Sequence, residues 1–396
     1  MPKFRVAIVC DYPEEGWPSM DLTAQMTLAY LQKDQGDEFE AVRICPRFRH
    51  RFGRLPLGTA HRVGRNIDRI LNRYFDYPRA LRRLQRTETF DLFHIVDHSY
   101  AQLVHELPRA QVVVTCHDLD TFRCLLQPDR EPRPAWFRHL TRRTLTGLQA
   151  AAAVSCDSEA TRNAILEHHL IPNDRLTTNY LGTDPEFSLE PSPGADETIN
   201  RLIGPARSDQ VELLHVGSNI PRKRIDVLLD VFAAIRQRLP NARLVKAGGE
   251  LNPAQTAQAQ ELGVLDAINV IPLLKDRAAL AALYRRAALV LQPSEAEGFG
   301  LPLAEAMACG TPLLVSDIAV LREVAGEAAL YCKVGDVPAW TETALSLLSE
   351  TNRKSPAYHA RRSAGLAQAA RFRWNTHVDQ LAEIYHKTIC SRQGSD

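Results

Sequence analysis

The chain has 396 residues, 45% of them apolar and 24% charged, with a formal net charge of +1. This composition is ordinary for a folded globular protein, and the length exceeds one ordinary core, so two domains of about 150 to 200 residues each are expected. Near-neutral charge excludes a global pull towards nucleic acid or membrane. No window approaches the roughly 18 apolar residues of a spanning helix or looks like a signal peptide, so a cytoplasmic protein is expected.

In chain order, the first half offers the apolar runs FRVAIVC, FEAVRIC, LFHIV, QVVVTC and AAAVSC, rich in β-branched residues and separated by segments of helical period. That alternation predicts an α/β fold of parallel sheets with helical crossovers. After the first run, DYPEEGWPSMD places Gly16 in a loop that opens a helix at about Met20. From Arg43 to Arg86 the chain is strongly basic, with only Asp68 and Asp76 in opposition and with Phe48, Phe52, Tyr74, Phe75 and Tyr77 interspersed. Such a run reads either as a solvated face or as a surface for an anionic acceptor or acidic lipid. The run QVVVTCHDLD ends a strand on His117 and Asp118; a strand-end histidine alone is more often a hydrogen-bonded structural residue than a catalytic one.

Residues 187–209 carry three prolines and two glycines with little apolar periodicity, and are expected to link a domain over 1–186 to a second over 210–376. The second half restarts with VELLHVG, ARLVKAGG, INVIPLL, AALVLQPS and TPLLVSD. Its first run passes Gly217 and Ser218 and enters a helix behind Arg222, Lys223 and Arg224. Cations at a helix N-terminus are disfavoured unless an anion sits among them, so a diphosphate is the ligand that suits Arg222 and Lys223. The run AALVLQPS leads into EGFGLPLAE, which places Glu297, Gly298, Phe299, Gly300, Leu301 and Glu305 between a strand end and a helix predicted over 301–309, with Pro302 at its first position and Gly310 just beyond its end. Two carboxylates, two glycines and a helix N-terminus then surround the carboxyl end of a strand, where open α/β sheets bind ligands. The eight cysteines include no C-x-x-C pair, which argues against a zinc site or a disulfide framework. The last segment, RWNTHVDQLAEIYHKTIC, carries Val378, Leu381, Ile384, Tyr385 and Ile389 on one stripe.

The stretch PSEAEGFGLPLAEAMACGTPLLVSD, in which seven residues separate Glu297 from Glu305, resembles the E-x7-E motif of family 4 retaining glycosyltransferases. The resemblance implies the GT-B fold, two Rossmann-like domains with parallel sheets facing a central cleft. It implies that Glu297 contacts the transferred sugar, that Glu305 binds the nucleotide's ribose, and that the amides over Gly298 to Leu301 face the donor. Gly217 and Lys223 match the family's phosphate-binding stretch, except that an arginine common after that glycine is here Ser218; Arg222 is the candidate substitute. HD at 117–118 resembles the loop whose histidine orients the donor sugar, and Gly16 matches a glycine that brings amides to the diphosphate, although only one glycine is present where two are common. The resemblance also sends the C-terminal helix, about 377–396, back to the first domain.

The function implied is retaining transfer of a hexose, such as mannose or glucose, from a nucleotide diphosphate sugar to a glycan or lipid-linked glycan. It comes with no cofactor and no metal, despite the D-x-D spacing of Asp118 and Asp120. The basic segment suggests peripheral contact with an anionic inner membrane face. The alternatives are a nucleotide-sugar epimerase of related architecture and a non-enzymatic protein that binds anionic polymers; aromatic stacking motifs for nucleic acid are missing, so none is expected as a partner.

Overall fold

The structure, a computed structural model, describes residues 3–53, 59–349 and 355–393, without the side chains of 59–62, 392 and 393. Arg54 and the side chain of Arg62 in the basic stretch, and residues 394–396 of the expected last helix, lie outside the described residues. The chain forms two compact units: Met1–Leu181 together with Trp374–Asp396, and Gly182–Arg373.

In the first unit the strands are β1 (Phe4–Val9), β2 (Phe39–Ile44), β3 (Leu92–Ile95), β4 (Val112–Cys116), β5 (Ala153–Cys156) and β6 (Leu176–Thr178), all parallel in the order β2-β1-β3-β4-β5-β6. Every residue of β3 and β4 is buried, because helices cover both faces of the sheet. Successive residues supply different cores: Val112 and Val114 join the cluster with Ile95, Tyr100 and Leu148, while Val113 joins Val6, Ile8 and Leu92. The second cluster is closed by Val378, Leu381, Ile384 and Tyr385 of the helix Trp374–Gln393, and Tyr385 Oη bonds to His94 Nδ1 on β3 at 2.7 Å.

The second unit repeats the plan with β7 (Val211–Val216), β8 (Ala242–Ala247), β9 (Ile268–Ile271), β10 (Leu289–Gln292), β11 (Leu313–Ser316) and β12 (Ala329–Cys332), parallel in the order β12-β11-β10-β7-β8-β9. The two six-stranded parallel sheets agree with the expected α/β class.

Several expected boundaries move. The helix after β1 begins at Pro18, not Met20, because proline lacks the donor that a first helical turn leaves unsatisfied. The segment 187–209 is not bare linker: it contains the helix Ala195–Ile203, whose Ala195, Ile199 and Ile203 are buried at four-residue spacing, and it groups with the second unit. Arg286 Nη1 ties that helix down through Asn200 Oδ1 and Gly204 O. The helix expected at 301–309 runs Leu301–Ala308, with Leu301 first and Pro302 second.

Candidate active site

Strands β7 and β10 are hydrogen-bonded neighbours, pairing Leu213 with Leu289 and Leu214 with Val290, yet the sheet continues from them in opposite directions. Their carboxyl ends therefore form a switch point, the crevice in which open parallel sheets bind ligands. From β7 the chain crosses Gly217 to a tight turn, Pro221–Lys223, and enters the helix Ile225–Arg238. From β10 it crosses Ser294 to Glu297. A backbone bond clasps the two loops, Glu295 N donating to Arg222 O at 2.8 Å.

The clasp sets up the central contact. Lys223 Nζ donates to both oxygens of Glu297, at 2.6 and 2.7 Å, and Gln292 Nε2 donates to Oε1 at 2.8 Å. Arg222 Nη1 lies 3.6 Å from Glu297 Oε2 and donates to Ala296 O at 3.0 Å. Burial alone would raise the Glu297 carboxyl, but Lys223 and then Arg222 outweigh it and hold the group near 2. Lys223 and Arg222 thus both face this one carboxylate at the switch point. Arg224 pairs with Asp226 at 2.7 Å and lies 3.7 Å from Glu295.

Glu305 has the opposite environment. It is buried, its Oε2 accepts from Tyr284 Oη at 2.9 Å, and burial lifts its carboxyl to about 7 against smaller opposing effects of Tyr284 and Arg277. Tyr284 is packed in turn by Phe187, with ring centroids 5.9 Å apart. Gly300 precedes the helix Leu301–Ala308 with φ 97°, a left-handed conformation that favours glycine, and a Cβ there would meet Leu321 at 3.2 Å. Phe299 is buried edge-on against Phe372 at 5.2 Å.

Gly16 and His117 belong to the first unit. Gly16, at φ 76°, closes a turn in which its N–H donates to Pro13 O at 3.1 Å. His117 follows β4 and is buried with both ring nitrogens engaged: Nδ1 on the Asp157 carboxylate, and Nε2 donating to Val96 O at 2.8 Å. Burial would lower the imidazole, but Asp157 and then Asp97 raise it to about 9, so it is held as imidazolium. A direct bond from this ring to a sugar requires one of those partners to be released. Asp118 Oδ1 accepts from Asp120 N at 3.0 Å, so the D-x-D spacing forms a turn.

Comparison with known proteins decides the family. A model for glycosyl transferases group 1 matches residues 196–364, and one for glycosyltransferase family 4 matches 24–187. The O-antigen chain mannosyltransferase B of Escherichia coli is 30% identical over 288 residues, 72% of this chain and 71% of that protein. This chain belongs to the family 4 glycosyltransferases. A D-inositol 3-phosphate glycosyltransferase of Mycolicibacterium smegmatis is also 30% identical, over 59% of this chain, and the match spans about half of that protein's length, 52%. Anabaena HepE in complex with UDP and glucose superposes with a TM-score of 0.70 at 16% identity, covering 97% of this chain and all of that one (100%), and so shares the fold, which is GT-B.

The structure of this transferase brings Arg222, Lys223 and Glu297 together and seats Gly217 beside them. It places Glu305 with Tyr284, and adds residues that sequence reasoning missed. His215, on β7, is buried and neutral, lowered to about 3 by burial; its Nδ1–H donates to Leu291 O at 2.9 Å, and a Cβ at Gly217 would lie 3.1 Å from its Nε2. Lys246, on β8, is wholly buried and donates to Gly217 O at 3.2 Å and Gly249 O at 2.8 Å; burial lowers it to about 8. Gly248, at φ 100°, approaches so closely that a Cβ would fall 2.8 Å from Gly217 O. The available signal was polar residues inside apolar strands, LLHVG and LVKAGG, just ahead of glycines.

Proposed function

We propose that the chain transfers a hexosyl group, with retention at the anomeric carbon, from a nucleotide diphosphate sugar to a hydroxyl of a glycan or lipid-linked glycan. The observation that carries this is the buried Glu297 carboxylate held ionised by Lys223 and Arg222 at the β7–β10 switch point, beside the glycine turns. Lys223, Arg222 and the amides near Gly217 hold the diphosphate, Glu297 and the stretch from Gly298 to Leu301 grip the sugar, and Glu305 accepts from the ribose hydroxyls. For the first unit, the family resemblance assigns His117 to orienting the donor sugar and Gly16 to bringing backbone amides to the diphosphate. The mannosyltransferase and the HepE complex make mannose and glucose the first hexoses to try.

In the reaction the bond between the anomeric carbon and the diphosphate oxygen breaks, and a bond from the acceptor oxygen forms on the same face. The acceptor proton passes to the leaving phosphate. Negative charge growing on that phosphate meets preorganised cations, so this reading assigns no metal and no cofactor. The acceptor is taken from the cytoplasmic side, and no nucleic acid is a partner.

Nucleoside diphosphate release from a panel of nucleotide sugars, with and without lipid-linked glycans, tests the reading. Acceptor-dependent release with an α product from an α donor is expected. Conversion of one nucleotide sugar into another without acceptor would establish the epimerase instead, and a panel in which no donor shifts the melting temperature would overturn the donor site.

A further inference from the structure

The basic stretch that the donor reading leaves unused forms a groove of about 900 Å3 in the first unit. One wall is the helix Tyr77–Thr87, which presents Arg79, Arg82, Arg83 and Arg86 at three- and four-residue spacing; the other is the loop after β2, with Arg47 and Arg49. Five of these six guanidiniums have no carboxylate partner among the described residues. Only Arg82 does, with Glu106 at 3.2 Å. The single acidic residue in the lining, Asp76, is already taken by Arg51 at 2.7 Å.

The loop is not loosely draped. Arg49 N donates to Asn72 Oδ1 at 2.8 Å while Asn72 Nδ2 donates back to Arg49 O at 2.9 Å. Asp68 accepts from the amides of Arg51, Phe52 and Gly53 at 2.8 to 3.2 Å. Phe48 anchors it in the core, edge-on to Tyr12 at 5.2 Å. The fold thus holds like charges together at a Coulombic cost, which an anionic ligand removes.

Exposed apolar side chains lie in the same stretch. Phe52, on the clamped loop, is 41% exposed, and Phe75, whose ring carries Arg79 at 5.8 Å, is 49% exposed. Val63 and Ile67, one turn apart on the helix Thr59–Leu71, are 56% and 40% exposed. A soluble polyanion has no use for them, whereas a bilayer interface takes apolar side chains at the acyl boundary and guanidiniums at the phosphates.

We propose that this face docks on an anionic membrane, with lipid phosphates seated in the arginine groove. The full chain is expected to co-sediment at low salt with phosphatidylglycerol vesicles and not with phosphatidylcholine vesicles. Each arginine near an acidic surface is worth about fivefold in partitioning, so replacing Arg79, Arg83 and Arg86 with alanine lowers it on the order of 100-fold. Val63→Ser with Ile67→Ser weakens binding severalfold even where the arginines remain. The donor-induced shift in melting temperature stays unchanged in both variants, which separates this surface from the donor site and shows that the variants fold. Failure to pellet with phosphatidylglycerol, or variants that pellet like the parent, would overturn the proposal. So would loss of vesicle binding to inorganic tripolyphosphate at equal phosphate concentration together with indifference to the Val63 and Ile67 changes, which would indicate a site for a soluble anion.

Discussion

Lys223 Nζ spans both carboxylate oxygens of Glu297, at 2.6 and 2.7 Å, although 74 positions separate the two residues. Neither group has much solvent to fall back on, the side chains being 11% and 5% exposed. Removing one partner strands the other, and a buried pair broken in this way typically costs about 3 to 5 kcal/mol. Lys223→Met is therefore expected to lose several kcal/mol of stability and its affinity for nucleotide diphosphates. The double change Lys223→Met with Glu297→Gln should recover most of the stability and none of the transfer. Urea unfolding of the four proteins closes the cycle; additive losses would show that the pair is not coupled.

The two carboxylates of the EGFGLPLAE stretch should respond to pH in opposite ways. Glu305 is raised to about 7 from an ordinary 4.5. A carboxyl raised on folding stabilises the native state fully below the unfolded value, and that contribution is lost as pH climbs through 7, a swing of about 3 kcal/mol. Glu305→Gln keeps an acceptor for Tyr284 and does not titrate. Its melting temperature, compared with that of the parent, is expected to gain steadily between pH 5 and 8. Over the same range the parent's donor affinity should increase, because the ionised carboxylate is the better acceptor for ribose hydroxyls. A gap that does not change with pH would remove Glu305 as the titrating group. Glu297, held near 2, adds no dependence in this window; its contribution is lost only as pH falls from about 4.5 towards 2.

Much of the fold was legible because parallel strands buried on both faces read as continuous β-branched runs, and ten of the observed strands coincide with such runs in the sequence. The two that were missed, β6 and β12, are edge strands. Leu176–Thr178 buries one residue, and Ala329–Cys332 follows GEA so closely that it reads as helix. Glu297 and Lys223 were legible as site candidates, since charge beside glycine at a strand end is unusual. Their contact was not, because it depends on β10 pairing with β7 across the sheet order, a topological fact that no local pattern encodes. His215, Gln292 and Lys246 were hidden for a different reason: a single polar residue within an apolar strand looks the same whether it serves the core or a ligand.

The bond between Tyr385 Oη and His94 Nδ1 fastens the last helix to the middle of the first sheet. The other ring nitrogen of His94 bonds Thr115 Oγ1 at 2.8 Å, and burial lowers the ring to about 3, so it stays neutral. Tyr385→Phe keeps the packing against Phe39, centroids 5.6 Å apart, and leaves one buried nitrogen unsatisfied. The expected cost is about 1 to 3 kcal/mol. Hydrogen exchange should show it as earlier opening of residues 374–393, with little change in 182–373.

His117 is the residue whose role depends most on protonation. Raised from 6.5 to about 9, its imidazolium contributes stability that is complete below about 6.5 and is lost as pH rises through 9, about 3 kcal/mol in all. The source is chiefly the Asp157 carboxylate acting against burial, so Asp157→Asn should let burial prevail and drop the ring below 6.5. The stability gap between parent and variant is then widest near pH 6 and narrows towards pH 10. The His117 Cε1 proton, followed by NMR, reads the pKa directly. If transfer requires the imidazolium only to hold the loop after β4, the variant recovers activity at low pH, where the ring is charged again. If it requires the ring to be released from Asp157 and to reach the sugar, the variant is active at neutral pH and gains nothing from acid.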